Sequence, residues 1–258
     1  MTDPTVCAAL YFDPHEAGTI SVAWLDEALR LLAQTGLPVR ESEITGVPGF
    51  DQDLTQPFPP NEAGIRAGLA SGSAKSIRLY AHPENREGYV LNWRASAGIG
   101  YRHGEGFLGV PVRAGLTLKD HLLATYALTR LVAPCRYGIA YLRSAHLAPA
   151  FYARGMLGGS LEADDREDDA NTGRIFQFFR ESYGARRHLQ GMFRSVYPVQ
   201  LLSEAHRSAR LTDGRTVAEL GLGRWTQVGG GLWLWELSEQ EIAAAAQALE
   251  RAGLILAA

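Results

Sequence analysis

The densest patch of chemistry-bearing side chains is EADDREDD, residues 162–169, in which six of eight residues are acids. Acids at this density suit three roles: a cation cradle, a solvated loop, or a polyanion-like surface offered to a basic groove. An EF-hand loop needs acids at alternate positions, a glycine at the sixth position and a terminal glutamate. EADDREDDANTG lacks that order. Like charges this close repel one another and resist packing, which makes a solvated loop the plain reading. The acids can also balance Arg174, Arg180, Arg186, Arg187 and Arg194 downstream. The functional reading is electrostatic. A nuclease keeps a positive groove for phosphates, and an acidic segment can enter that groove, speed the encounter and block substrate.

Other candidates are thinner. Asp51 and Asp53 form a carboxylate pair in a proline-rich loop. Two oxygen donors fall short of the six to eight that calcium takes, although loop carboxylates of this kind could serve a hydrolase. None of the seven histidines pairs with another at helical zinc spacing, and HExxH is absent. His15 beside Glu16 and His121 beside Asp120 do not face each other on a helix. GIGYRHGEG, residues 98–106, is neither GxGxxG nor a Walker loop, and strand pattern follows it, so a glycine-rich β turn is expected. There is no GxSxG elbow. Trp225, Trp233 and Trp235 form the one aromatic cluster, with Trp233 and Trp235 on the same side of one strand. They can pack in a core, line a ligand pocket or meet a partner.

The elements that would carry these residues follow from periodicity. Residues 21–36 place Val22, Leu25, Leu29 and Leu32 on one helical stripe, with Ser21 as cap and Gly36 and Pro38 as stop. Residues 45–61 hold four prolines and read as a loop pinned by Phe50 and Phe58, with a short helix over 61–70. Residues 76–82 and 88–95 read as a hairpin around PENRE, extended into a meander by GIGYRH and FLGVPVR. Thr117 and Asp120 open a helix over 117–132, followed by a strand at 137–142 and a short helix near Pro149. Residues 174–194 are expected to be partly helical, burying Ile175, Phe178 and Phe179. Residues 223–237 read as a hairpin turning at Gly229, Gly230 and Gly231. Ser238 and Glu241 then cap a helix that stops at Gly253, and LIL can add a closing strand. The pattern implies an α+β fold, a mostly antiparallel sheet with several packed helices in a single large domain over 1–258, with subdivision conceivable only near 155–175.

Composition bounds the function. The 258 residues are 46% hydrophobic and 21% charged, ordinary for a folded chain. The formal charge is −3, so no overall basic field attracts nucleic acid. The acidity is local: residues 161–170 hold six of the 28 acids and one of the 25 bases. Cys7 and Cys135 match no CxxC pattern and are expected as buried free thiols in a reducing compartment. MTDPTVCAALYFDPHE has no basic leader, and no stretch approaches the ~20 apolar residues of a membrane span. The expected location is the cytoplasm.

Two phrases carry a family resemblance. FRSVYPVQLLSEAHRSARLTDGRTVAEL (193–220) and GGGLWLWELSEQEIAAAAQALERAGLI (229–255) resemble the C-terminal part of the bacterial immunity proteins of family 52. These accompany polymorphic and type VI secretion toxins. Tyr197, Pro198, Leu201, Leu202, Ser203, Leu232, Trp233 and Trp235 match the family phrase, which covers about the last quarter of the chain. The resemblance implies a protein that is not an enzyme. It would bind and silence a cognate toxin, typically a restriction-endonuclease-like nuclease, without cofactor, metal or catalytic residues and without touching nucleic acid or membrane. The expected contact residues are Glu162, Asp164, Asp165, Glu167, Asp168 and Asp169, then Trp225 at the hairpin mouth; only the phrase residues come from the resemblance. The alternatives are a small hydrolase using Asp51 and Asp53, or a ligand-binding module with a tryptophan-lined pocket.

Overall fold

Strand β1, Pro4–Phe12, is buried at every residue after Pro4. A strand hidden on both faces belongs in the middle of a covered sheet. The computed structural model places it there, and describes residues 4–50, 55–83, 94–101, 104–113, 115–144, 149–154 and 186–256. Nine further strands flank it: β2 (Val39–Thr45), β3 (Gln56–Pro57), β4 (Ser76–Ala81), β5 (Ala95–Gly100), β6 (Glu105–Pro111), β7 (Cys135–Ser144), β8 (Val199–Ser203), β9 (Arg224–Gly229) and β10 (Leu232–Glu236). Their order is β3-β2-β4-β5-β6-β1-β7-β8-β10-β9, and every neighbouring pair is antiparallel. The α+β single-domain expectation holds.

Alternation sorts the side chains onto two faces. Ala8, Leu10 and Phe12 of β1 share one face with Leu108, Leu79 and Leu201. Three helices cover it: α1 (Val22–Ala33), α2 (Phe58–Ala70) and α3 (Leu118–Arg130). Cys7, Ala9 and Tyr11 point the other way, with Tyr137, Ile139, Leu202 and Trp235. That face receives α4 (Pro149–Ala153), α5 (Glu204–Arg207) and α6 (Glu239–Arg251). Close approach of α3 requires missing side chains beneath it. A Cβ on Gly106 would sit 2.2 Å from Thr129 Oγ1, and one on Gly138 would sit 2.5 Å from Leu10 Cδ1.

Local signals hold where both partners are near in sequence. Ser21 Oγ accepts from the Trp24 N–H, and Thr117 Oγ1 from the Asp120 N–H at 3.0 Å. Ser238 and Glu241 close a capping box on α6, and Gly253 follows with φ +65°. Gly229, Gly230 and Gly231 all take positive φ between β9 and β10.

Four expectations are corrected. The strand beside β4 is Ala95–Gly100, where the hairpin partner was read at 88–95; residues 88–93 lie outside the described ones. The loop read over 45–61 gives way to β3 and to α2 from Phe58, because Pro59 and Pro60 occupy a first helical turn that needs no N–H partner. The buried side of α1 is Trp24, Leu25, Ala28, Leu31 and Leu32, with Val22 and Leu29 at its margin. The closing LIL forms one bridge, Phe193 to Ile255, and no strand.

Candidate functional site

β9 is the outermost strand at one end of the sheet. It bonds to β10 on one side, and among the described residues no strand pairs with its other edge. Arg224, Thr226 and Gln227 are exposed on it. Trp225 lies opposite Trp235 in the register and stacks on it, rings 5.0 Å apart and 11° from parallel. Trp235 is fully buried, and its indole N–H donates to the Leu222 carbonyl at 2.9 Å. The half-buried Trp225 therefore rests on a fixed platform. Trp233 points to the same face and carries the Arg207 guanidinium 4.1 Å above its ring. Arg224 donates to Glu236 at 2.8 Å, and Lys119 reaches the same carboxylate at 3.2 Å. An open strand edge, two half-buried indoles and the Arg207 guanidinium are the materials of a protein-binding patch, while Arg224 points to the other face of the sheet.

Polar clusters elsewhere make their main bonds within the fold. Arg194 is fully buried; its Nη1 donates to Tyr11 Oη at 2.7 Å and to the Ala153 carbonyl at 2.8 Å. Arg78 pairs with Glu43, which also accepts from Tyr80 at 3.0 Å, while Arg154 pairs with Glu105 at 2.6 Å. Burial, then the Glu43 charge, pushes the Tyr80 phenol well above its usual range.

Ser203 Oγ stands 2.8 Å from His206 Nδ1, the spacing of a nucleophile and its base. The histidine is held neutral and weakly basic. Its ring is wholly buried, stacked on Tyr137 at 5.0 Å, and burial holds its pKa down to about 4. Ser203 is the residue before α5, so the pair closes a helix end. Ser203 lines an open cleft of 590 Å³ between β7, α5 and the β9–β10 turn, with Glu16 and Arg136 paired across its wall. Cys135 also lines it, but burial raises its thiol pKa to about 12, and Cys7 is driven up as well. Both thiols are free and buried, as expected. Among the described residues no group of three or more His, Cys, Asp or Glu is placed to hold a metal ion. No helix among them is long and apolar enough to cross a membrane.

Of the expected contact residues, Trp225 falls at the mouth of the β9–β10 hairpin. Glu162, Asp164, Asp165, Glu167, Asp168 and Asp169 lie outside the described residues, as do Asp51 and Asp53 and the helix read around Phe178. Of the arginines set against those acids, Arg186 pairs with Asp13 at 2.5 Å and Arg194 is buried among tyrosines. Trp235 is core, and no tryptophan lines the 590 Å³ cleft. Sequence reasoning missed Arg207 and Arg224. The signal for Arg224 was its place beside Trp225 in a strand; Arg207 had none, because its partner is set by tertiary packing.

No family model matches the chain, and no curated protein matches its sequence. A solved structure does match. It is the Pseudomonas aeruginosa T6SS protein PA0821, with TM-score 0.54 and 11% identity over 98% of this chain and 73% of that one. At that identity the likeness is one of fold.

Proposed function

We propose that this chain is an immunity protein that binds and neutralises a cognate secreted nuclease toxin of the type VI kind, in the cytoplasm, and that it breaks no bond itself. The observation that carries the reading is the fold, shared over 98% of the chain with a T6SS protein. The family phrases at Tyr197–Pro198 and Trp233–Trp235 point the same way. The β9 edge supplies a surface of the right composition, with Trp225 on a rigid support and Arg207 over the neighbouring Trp233. The acidic stretch 162–169 supplies a charge that complements a nuclease groove. In this reading the partner is the toxin, a restriction-endonuclease-like protein, and neither DNA nor membrane is touched directly.

The test is co-expression with any secreted toxin that sequencing finds encoded beside this gene. The expected result is survival of toxin-producing cells and a stoichiometric complex on gel filtration. Turnover of a substrate by the purified protein, or no complex with that toxin, would remove the reading.

A further inference from the structure

A cavity of 230 Å³ opens between the C-terminal end of α1, the N-terminal half of α3 and strand β6. It lies on the face opposite Trp225, so it stands or falls separately from toxin binding. Leu31, Leu108, Val110, Leu116 and Ala124 make its apolar wall, and five polar side chains join them: Gln34 and Thr35 at the end of α1, then Arg113, Asp120 and His121.

His121 is 2% exposed, and its Nε2 lies 2.8 Å from the Leu108 carbonyl oxygen. A carbonyl only accepts, so Nε2 carries the proton. Burial holds the ring neutral, with a pKa of about 4, which leaves Nδ1 a bare acceptor. Among the described residues nothing donates to Nδ1. Arg113 is half-buried, and its guanidinium has no hydrogen bond or ion pair among them. Both side chains line the cavity with capacity to spare, His121 as an acceptor and Arg113 as a cation. Asp120 is different: it accepts from Thr117 Oγ1 at 2.6 Å and keeps further acceptor capacity.

We propose that this cavity binds a small zwitterion with an apolar side chain, an α-amino acid of the leucine or phenylalanine class. The carboxylate pairs with Arg113, the ammonium donates to His121 Nδ1 and Asp120, and the side chain lies against Leu31, Val110 and Leu116. A lone anion would meet the Asp120 carboxylate unscreened, and a lone cation would leave Arg113 unmatched. The volume is below that of sites for drug-sized ligands and suits a molecule of about ten heavy atoms.

Calorimetric titration of the whole chain with L-leucine and L-phenylalanine tests this, with isocaproate and isoamylamine as the two half-ligands. Saturable one-site binding of at least one amino acid is expected, with both half-ligands about tenfold or more weaker. Arg113→Gln should weaken binding about tenfold. Ala124→Phe should abolish it by filling the cavity while the protein stays folded by circular dichroism. No saturable binding of either amino acid overturns the proposal. So does isocaproate binding as tightly as leucine, or unchanged binding in both variants.

Discussion

Trp225 stacks face to face on Trp235, with 5.0 Å between ring centroids, and so couples the outermost strand of the sheet to its core. One partner is wholly buried and fixed by its hydrogen bond to Leu222; the other is half-buried at the open edge. Trp225→Ala should lower unfolding free energy by about 1–3 kcal/mol through lost area and lost stacking. Trp225→Phe, which keeps a ring on Trp235, should recover much of it. If β9 is the toxin-binding edge, the alanine variant should also bind toxin roughly 30-fold more weakly, the scale of an anchor residue. Urea titration and calorimetry separate the two effects. A normal affinity in a folded Trp225→Ala protein would take this strand out of the interface.

The acidic stretch acts at long range or not at all. Reversing Asp164, Asp165, Asp168 and Asp169 to lysine replaces four negative charges in a run that is net −5. If those acids steer association, the on-rate at low salt should fall by about tenfold or more, and the difference should shrink as salt approaches physiological strength. Stopped-flow association against ionic strength measures this. An unchanged on-rate with full protection of toxin-producing cells would remove the stretch from the mechanism.

Legibility followed sequence distance. The Ser238–Glu241 box, the Thr117 cap and the triple-glycine turn each join residues a few positions apart, and each was readable. The shared side of Trp233 and Trp235 was readable for the same reason. β5 was readable only in its second half, as GIGYRH; the ASA before it is small and buried on both faces, so alternation carries no signal there. The proline-rich start of α2 misled because Pro reads as a breaker except in a first turn. At the candidate site, Arg207 over Trp233 depends on how α5 sits against β10, which no local pattern encodes. The same holds for the cavity at His121 and Arg113, whose walls come from three separate elements.

Three buried histidines give the chain an acid-side weakness. Burial lowers His121 and His206 to about 4, and burial with the Arg194 charge lowers His188 to about 3. In the unfolded chain each imidazole titrates near 6.5. Between pH 6.5 and 4 the unfolded state therefore binds protons that the native state refuses, and stability falls as pH falls through that window. The slope approaches roughly 1.4 kcal/mol per pH unit for each histidine. Asp13, Glu27 and Glu241, whose pKa values are lowered in the fold, lose their contribution only at lower pH, so the two windows separate. Urea midpoints measured from pH 7 to 4.5 should show the decline, and His188→Gln should make it shallower. A flat profile over this range would contradict the burial of these rings in solution.

Arg194 ties the segment before β8 to the middle of the sheet. Its guanidinium donates to Tyr11 Oη, to the Ala153 carbonyl and to the Tyr152 carbonyl, and stacks 4.5 Å from the Tyr152 ring. Its backbone N–H donates to Tyr137 Oη at 3.3 Å. Next to it, Phe193 exchanges hydrogen bonds with Leu254 and Leu256, so the chain's last turn hangs on the same point. Burial penalises the charge, but the surrounding tyrosine oxygens more than offset this, and the guanidinium stays charged. Arg194→Ala leaves a cavity and removes a donor from three acceptors, of which the Ala153 carbonyl keeps the Tyr11 hydroxyl at 2.6 Å, and should cost about 3–5 kcal/mol. Arg194→Met keeps most of the volume and abandons the same acceptors, so it should cost less than Ala while remaining clearly destabilising. Arg194→Lys keeps the charge but loses the forked geometry that reaches two carbonyls and a phenol at once. It should fall between Met and the parent. Urea unfolding of the three variants gives the order, and a Met variant as stable as the parent would mean that the guanidinium's bonds contribute nothing net to the fold.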